Sequence, residues 1–117
     1  MAMLLKDKVA VITGSARGIG KAIALAMAKE GANIVISDVN LEMAEATAKE
    51  ISALGVKAIA LGLNVAKSAE VDPFFEQVVE KMGKIDIVVN NAGITRDTLL
   101  MRMKEEDWDL VLNINLK

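Results

Sequence analysis

Residues 13–20 read Thr13-Gly14-Ser15-Ala16-Arg17-Gly18-Ile19-Gly20, a glycine-rich turn between an apolar run and a helical pattern. The first amides of a helix have no partner within it, and together with the helix dipole they favour an anion placed at that end. The chemistry implied is phosphate binding. Gly14 permits the tight turn, Gly18 removes the Cβ that would stand in the way of the phosphates, and Gly20 lets the helix pack closely on the strand before it. Ser15, Arg17 and Ile19 lie between them and belong to the same candidate cofactor-binding segment. A glycine turn alone is only a flexible turn, and its strand-to-helix setting is what favours the phosphate reading. About twenty residues further on, a second apolar run ends at Asp38, whose carboxylate can accept from both hydroxyls of an adenosine ribose and would repel a 2′-phosphate. Arg17 pulls the other way, since a guanidinium can pair with that phosphate or with the pyrophosphate. A dinucleotide is therefore expected, with NAD(H) favoured by Asp38 and NADP(H) kept open by Arg17. Asp38 could alternatively cap a helix, a role that Asn40 can also fill.

Other chemistries are excluded by what the chain lacks. It has no cysteine and no histidine, so it can build neither a disulfide framework nor a thiolate or imidazole metal site, and no metal centre is expected. It has no tyrosine either. The net charge is -2 with acids and bases interleaved, which gives no long-range attraction for nucleic acid or an anionic membrane. No apolar run approaches the ~18 residues of a membrane span, and Met1 to Lys8 lacks a secretory apolar stretch, so a cytoplasmic address is the default. With 117 residues, 53% of them hydrophobic, the chain has the size and composition of one globular domain.

The elements that must position these residues follow from the apolar spacing. Strands are expected at Val9-Ala10-Val11-Ile12, Asn33-Ile34-Val35-Ile36, Ala58-Ile59-Ala60-Leu61 and Ile85 to Asn90. Their near-continuous apolar character suits a parallel sheet covered on both faces. Between the first two, Ile19, Ala22, Ile23, Ala26 and Met27 recur at helical spacing and are expected to face the core, with Gly31 as a left-handed cap. A second helix is expected from about Leu41 to Leu54, closed by Gly55. A third carries Val71, Phe74, Phe75, Val78, Val79 and Met82 on one face before Gly83, starting near Ser68 with a local distortion at Pro73. A last helical stretch is expected from about Lys104 through Lys117, cut by the end of the chain. The pattern is a three-layer α/β, Rossmann-type parallel sheet in strand order 3-2-1-4.

The turn Thr13 to Gly20 and the segment Asn90-Asn91-Ala92-Gly93 together resemble the short-chain dehydrogenase/reductase family. The continuation Ile94-Thr95-Arg96-Asp97-Thr98-Leu99-Leu100-Met101-Arg102-Met103 is similar to its reductases of 3-oxoacyl thioesters, carried on acyl carrier protein or coenzyme A. The resemblance covers the whole chain. It implies that Asn64 and Val65 flank the adenine, that Asn91, Ala92 and Gly93 line the ribose and nicotinamide side, and that Asn115, followed by Leu116, is the family's catalytic asparagine. Asn113 does not match that position, and Asn90 is as readily a tie between strands.

That family reduces a ketone by hydride transfer while a tyrosine donates the proton. A lysine lowers the tyrosine's pKa, a serine holds the carbonyl oxygen and the asparagine orients a water relay. With no tyrosine in the sequence, residues 1–117 are expected to be the dinucleotide-binding domain, truncated before the Tyr-x-x-x-Lys segment and inactive alone. The competing expectation is a stand-alone dinucleotide-binding or folding module. Without the downstream half, the fourth strand becomes an apolar edge whose only charge is Asp86, and the Trp108, Leu110, Val111, Leu112 stretch loses its cover. A homo-oligomer is therefore expected, by pairing of fourth strands or exchange of the C-terminal helical segment.

Overall fold

The computed structural model describes residues 4–64, 68–90 and 113–115. In chain order these form β1 (Val9–Thr13), α1 (Gly18–Lys29), β2 (Asn33–Asp38), α2 (Leu41–Ser52), β3 (Ala58–Gly62), a 3-10 turn Ser68–Glu70, α3 (Val71–Met82), β4 (Ile87–Asn90) and β5 (Asn113–Asn115). All pairings are parallel, in the order β3-β2-β1-β4-β5. The expected order 3-2-1-4 is thus present, extended by one strand.

β1 is the keel of this sheet, and its alternation feeds two cores. Ala10 and Ile12 join Ile34, Ile36, Ile87 and Val89 under α1 and α2, where Ala24, Ala28, Ala44, Ala48 and Ile51 are buried. Val9 and Val11 join Val35 and Val88 on the opposite face against Val71, Phe74, Phe75 and Val78 of α3. Residues two apart on a strand share a face, so a slip by one residue would exchange the two sets. On the α3 side the rings of Phe74 and Phe75 meet edge to face, with centroids 5.1 Å apart.

The packed face of α1 is only partly the expected one. Gly20, Ala24 and Ala28 are its buried residues, while Ile23, Leu25 and Met27 are half-buried. Ala22 and Ala26 face outward, and Ile19 is 70% exposed. Small residues at 20, 24 and 28 let the helix lie close on the sheet, and that close approach outweighs the larger side chains of the expected stripe. α2 ends at Ser52, with Gly55 at φ 95° in the turn that follows. α3 begins at Val71, after a 3-10 turn over Ser68–Glu70, which is three residues later than the start expected near Ser68, and it needs no distortion at Pro73. Pro73 falls in the first turn of the helix, where a missing N–H forfeits no intrahelical bond. Gly83 closes α3 at φ 88° in the left-handed region.

Two expectations about the chain's far end are corrected. Asn113–Asn115 is a strand, not part of a helix running to Lys117, and it pairs with β4 in the register Val88↔Asn113, Val89↔Ile114, Asn90↔Asn115. β4 is therefore no free edge. The unpaired backbone groups that were to recruit a second copy are met within the chain, and ladder bonds override the helical spacing of the segment. The strand also begins two residues later than expected. Asp86 is 3% exposed, and its Oδ2 accepts from the N–H of Val9 at 2.9 Å while its own N–H donates to the Val9 carbonyl. A side chain thus supplies the first rung between β4 and β1, with Lys84 Nζ 3.1 Å from the same oxygen. Trp108 and Leu110–Leu112, the other ground for self-association, lie outside the described residues. Among the described residues no helix is long and apolar enough to cross a membrane.

Candidate functional site

The carboxyl end of β1 passes into the glycine turn, and two residues there need the conformational freedom of glycine: Gly14 at φ 60° and Gly18 at φ 64°. Arg17 is the N-cap of α1, extended at φ -157° and ψ 175°, and it makes no capping bond with its side chain. No acidic residue stands in the first turn of α1, whereas α2 has Glu42 there and α3 has Asp72. Among these three helices, only α1 leaves the positive end of its dipole without a carboxylate of its own. An ideal Cβ on Gly18 would meet nothing within 4 Å, and Ile19 beside it is exposed. An open, positively polarised helix entrance of this kind fits a phosphate group.

The turn is held by side chains of neighbouring elements. Ser15 is buried; its Oγ donates to the Ile12 carbonyl at 2.6 Å and accepts from the Ser37 N–H at 3.1 Å, and its own N–H donates to the Ser37 carbonyl. Ser37 Oγ donates to the same Ile12 carbonyl at 3.0 Å. On the other side of β1, Thr13 Oγ1 donates to the Val89 carbonyl. The hydroxyl of Ser15 is thus engaged by the fold and not directed at the entrance.

Asp38 ends β2 half-buried, 22 positions after Ala16, whose N–H it accepts at Oδ2 over 3.3 Å. Its Oδ1 accepts from the Asn40 N–H at 3.2 Å. Asn40 is the cap of α2, taking the Met43 N–H at 3.1 Å. Asp38 is therefore not that cap, and its carboxylate stands beside the glycine turn with lone pairs left for further donors. Gly14, Arg17, Gly18, Ile19, Gly20 and Asp38 are brought to one end of the sheet, around the β1–α1 and β2–α2 connections. Asn64 follows β3 at the same end, half-buried, with its N–H donated to Glu70 Oε1. Asn115 is placed in β5, opposite Asn90. Val65, Asn91, Ala92 and Gly93 lie outside the described residues.

One participant escapes the motif. Thr47 Oγ1, on α2, donates to the Ala16 carbonyl at 2.7 Å. Its signal is faint but real, since it is a hydroxyl in the otherwise apolar buried row Ala44, Thr47, Ala48, Ile51.

The short chain dehydrogenase family profile matches residues 8–117. The 3-oxoacyl-[acyl-carrier-protein] reductase FabG of Thermotoga maritima is 50% identical over 115 residues, which is 98% of this chain and 47% of that protein. The reductase of the same name from Staphylococcus epidermidis is 49% identical over 112 residues, 95% of this chain and 46% of the other. Among solved structures, a hydroxysteroid dehydrogenase from Escherichia coli matches with a TM-score of 0.74 at 41% identity, covering 78% of this chain and 39% of its own. A 7 alpha-hydroxysteroid dehydrogenase complexed with NADH and 7-oxo glycochenodeoxycholic acid matches with a TM-score of 0.75 at 41% identity, covering 78% and 36%. The chain spans about half the length of the curated relatives it matches.

Proposed function

The chain belongs to the short-chain dehydrogenase family, and from that premise we propose that these residues are the dinucleotide-binding portion of an NAD(P)-dependent oxidoreductase, acting in the cytoplasm, that reduces a 3-oxoacyl thioester to the 3-hydroxyacyl thioester. The observation that carries the cofactor half is the amino end of α1: two left-handed glycines, an open approach at Gly18 and no acidic residue in the first turn. The substrate half rests on the relatives, two of which are named for 3-oxoacyl-[acyl-carrier-protein] reduction.

Gly14, Arg17, Gly18, Ile19 and Gly20 surround the pyrophosphate, and Asp38 takes the adenosine ribose hydroxyls, which favours NAD(H) over NADP(H). Ser15 supports that turn from beneath. Asn64 and Val65 flank the adenine, and Asn91, Ala92 and Gly93 the nicotinamide side. Bound there, the dinucleotide supplies a hydride. Asn115 is the one family catalytic position within these residues, and no tyrosine is present to donate the proton. The 117 residues therefore bind cofactor without reducing a ketone. A stand-alone binding module predicts the same for this chain but no longer protein with activity. Self-association is part of the proposal, and a monomeric mass in light scattering would remove it.

Calorimetric titration with NADH and NADPH tests the cofactor reading. NADH is expected to bind the more tightly, and no binding of either refutes it. Reduction of a 3-oxoacyl thioester by a longer protein containing these residues tests the rest.

A further inference from the structure

Ala16, in the middle of the glycine turn, is held from both sides by side chains of other elements. Its N–H donates to Asp38 and its carbonyl accepts from Thr47 at 2.7 Å. Thr47 is 31 positions away on α2 and 3% exposed. A buried hydroxyl is costly unless bonded, and a helical threonine can satisfy it with the carbonyl of its own preceding turn. Thr47 instead reaches across to the turn. A trans peptide directs its C=O and N–H to opposite sides, so drawing the Ala16 carbonyl toward α2 turns the Arg17 N–H away from it. Arg17 is the cap of α1, so the peptide bond that Thr47 fixes is the one through which the chain enters the helix.

We propose that Thr47 is a positioning residue of the dinucleotide site, which sets from α2 the direction of the helix-entry amides that receive the pyrophosphate. This rests on the dinucleotide reading above. Asp38 fixes the preceding peptide through the Ala16 N–H, so the residue proposed for the ribose and the one proposed here for the pyrophosphate clamp the same alanine.

Thr47→Val keeps the shape and removes the donor, and Thr47→Ser keeps the donor. In the 117-residue chain, Thr47→Val is expected to weaken NADH about three- to tenfold, the size of one lost hydrogen bond. Thr47→Ser should stay within about twofold. Adenosine, which lacks the pyrophosphate, should bind wild type and both variants alike, and amide exchange from Arg17 to Gly20 should accelerate in Thr47→Val alone. A purely structural threonine would move adenosine and NADH together. Wild-type NADH affinity and wild-type exchange in Thr47→Val overturn the proposal. Should wild type bind neither dinucleotide, the function reading falls, and the exchange comparison still decides Thr47: faster exchange supports its role and unchanged exchange overturns it. If Thr47→Val does not fold, Thr47→Ala carries the same comparison.

Discussion

Gly18 separates the cost of a backbone conformation from the cost of blocking a ligand. At φ 64° it occupies the left-handed region, and a Cβ there would meet nothing within 4 Å. Gly18→Ala therefore creates no clash within the protein, and its effect on stability is conformational, about 1–2 kcal/mol for an L-residue in that region. For a chain of this size that lowers Tm by roughly 4–8 °C. Gly83 provides the matched control. It sits at φ 88°, also with nothing within 4 Å, but at the far end of α3, so Gly83→Ala should be at least as destabilised. Only the Gly18 methyl occupies the approach to α1. Charge-assisted hydrogen bonds contribute about 1.5–3 kcal/mol each, and pushing a pyrophosphate off two amides should weaken NADH by at least about a hundredfold. Gly18→Leu should abolish binding. Fluorescence titration of NADH beside thermal melts of both alanine variants is the assay. Equal NADH affinity in Gly18→Ala and Gly83→Ala at comparable Tm would show that the turn is not the phosphate site.

Three further outcomes are expected. Asp38→Ala should weaken NADH about tenfold without raising NADPH to the wild-type NADH level, because it frees the Ala16 N–H as well as removing the repulsion; calorimetry that finds a clean exchange of preference refutes this coupling. Asp86→Ala leaves the Val9 N–H without its buried acceptor and should cost about 2–3 kcal/mol, read as a fall of roughly 1 M or more in the urea midpoint; an unchanged midpoint contradicts it. The purified 117-residue chain should not consume NADH or NADPH with acetoacetyl-CoA, since a missing general acid alone removes about two to four orders of magnitude; turnover free of host reductases refutes it.

Elements whose patterns are set by their own residues were legible in the sequence. The four apolar runs announced β1 to β4, and glycines at 31, 55 and 83 marked the ends of helices. The glycine turn and the place of Asp38 at the end of β2 were legible because both follow directly from the local strand-turn-helix pattern. What escaped depends on partners far away in the chain. The buried face of α1 was only partly legible, through Ile23 and Met27, because how closely the helix lies on the sheet, and not the bulk of Ile19, decides which side packs. β5 could not be read from Asn113-Ile114-Asn115, because an open edge on β4 makes it a strand. Thr47 and the inward turn of Ser15 were invisible for the same reason, since their partners lie across element boundaries and leave no periodic trace.

The rung between Asp86 and Val9 also has a consequence in time. The two residues are 77 positions apart, yet β1 must receive this contact to be bordered on both sides. During synthesis at about 5–20 residues per second, roughly 4–15 seconds separate their appearance. Through that interval β1, β2 and β3 can assemble beneath α1 and α2 as soon as those helices emerge. The opposite face, with Val9, Val11 and Val35, must wait for α3 and β4. A nascent chain of this protein is thus one-sided for several seconds, with one layer largely formed but still lacking Ile87 and Val89, and the other open to a chaperone or to a neighbour on the same messenger. Stalled chains whose emerged part stops short of Val71 should bind a hydrophobic dye that stalled chains with residues through Asn90 emerged exclude.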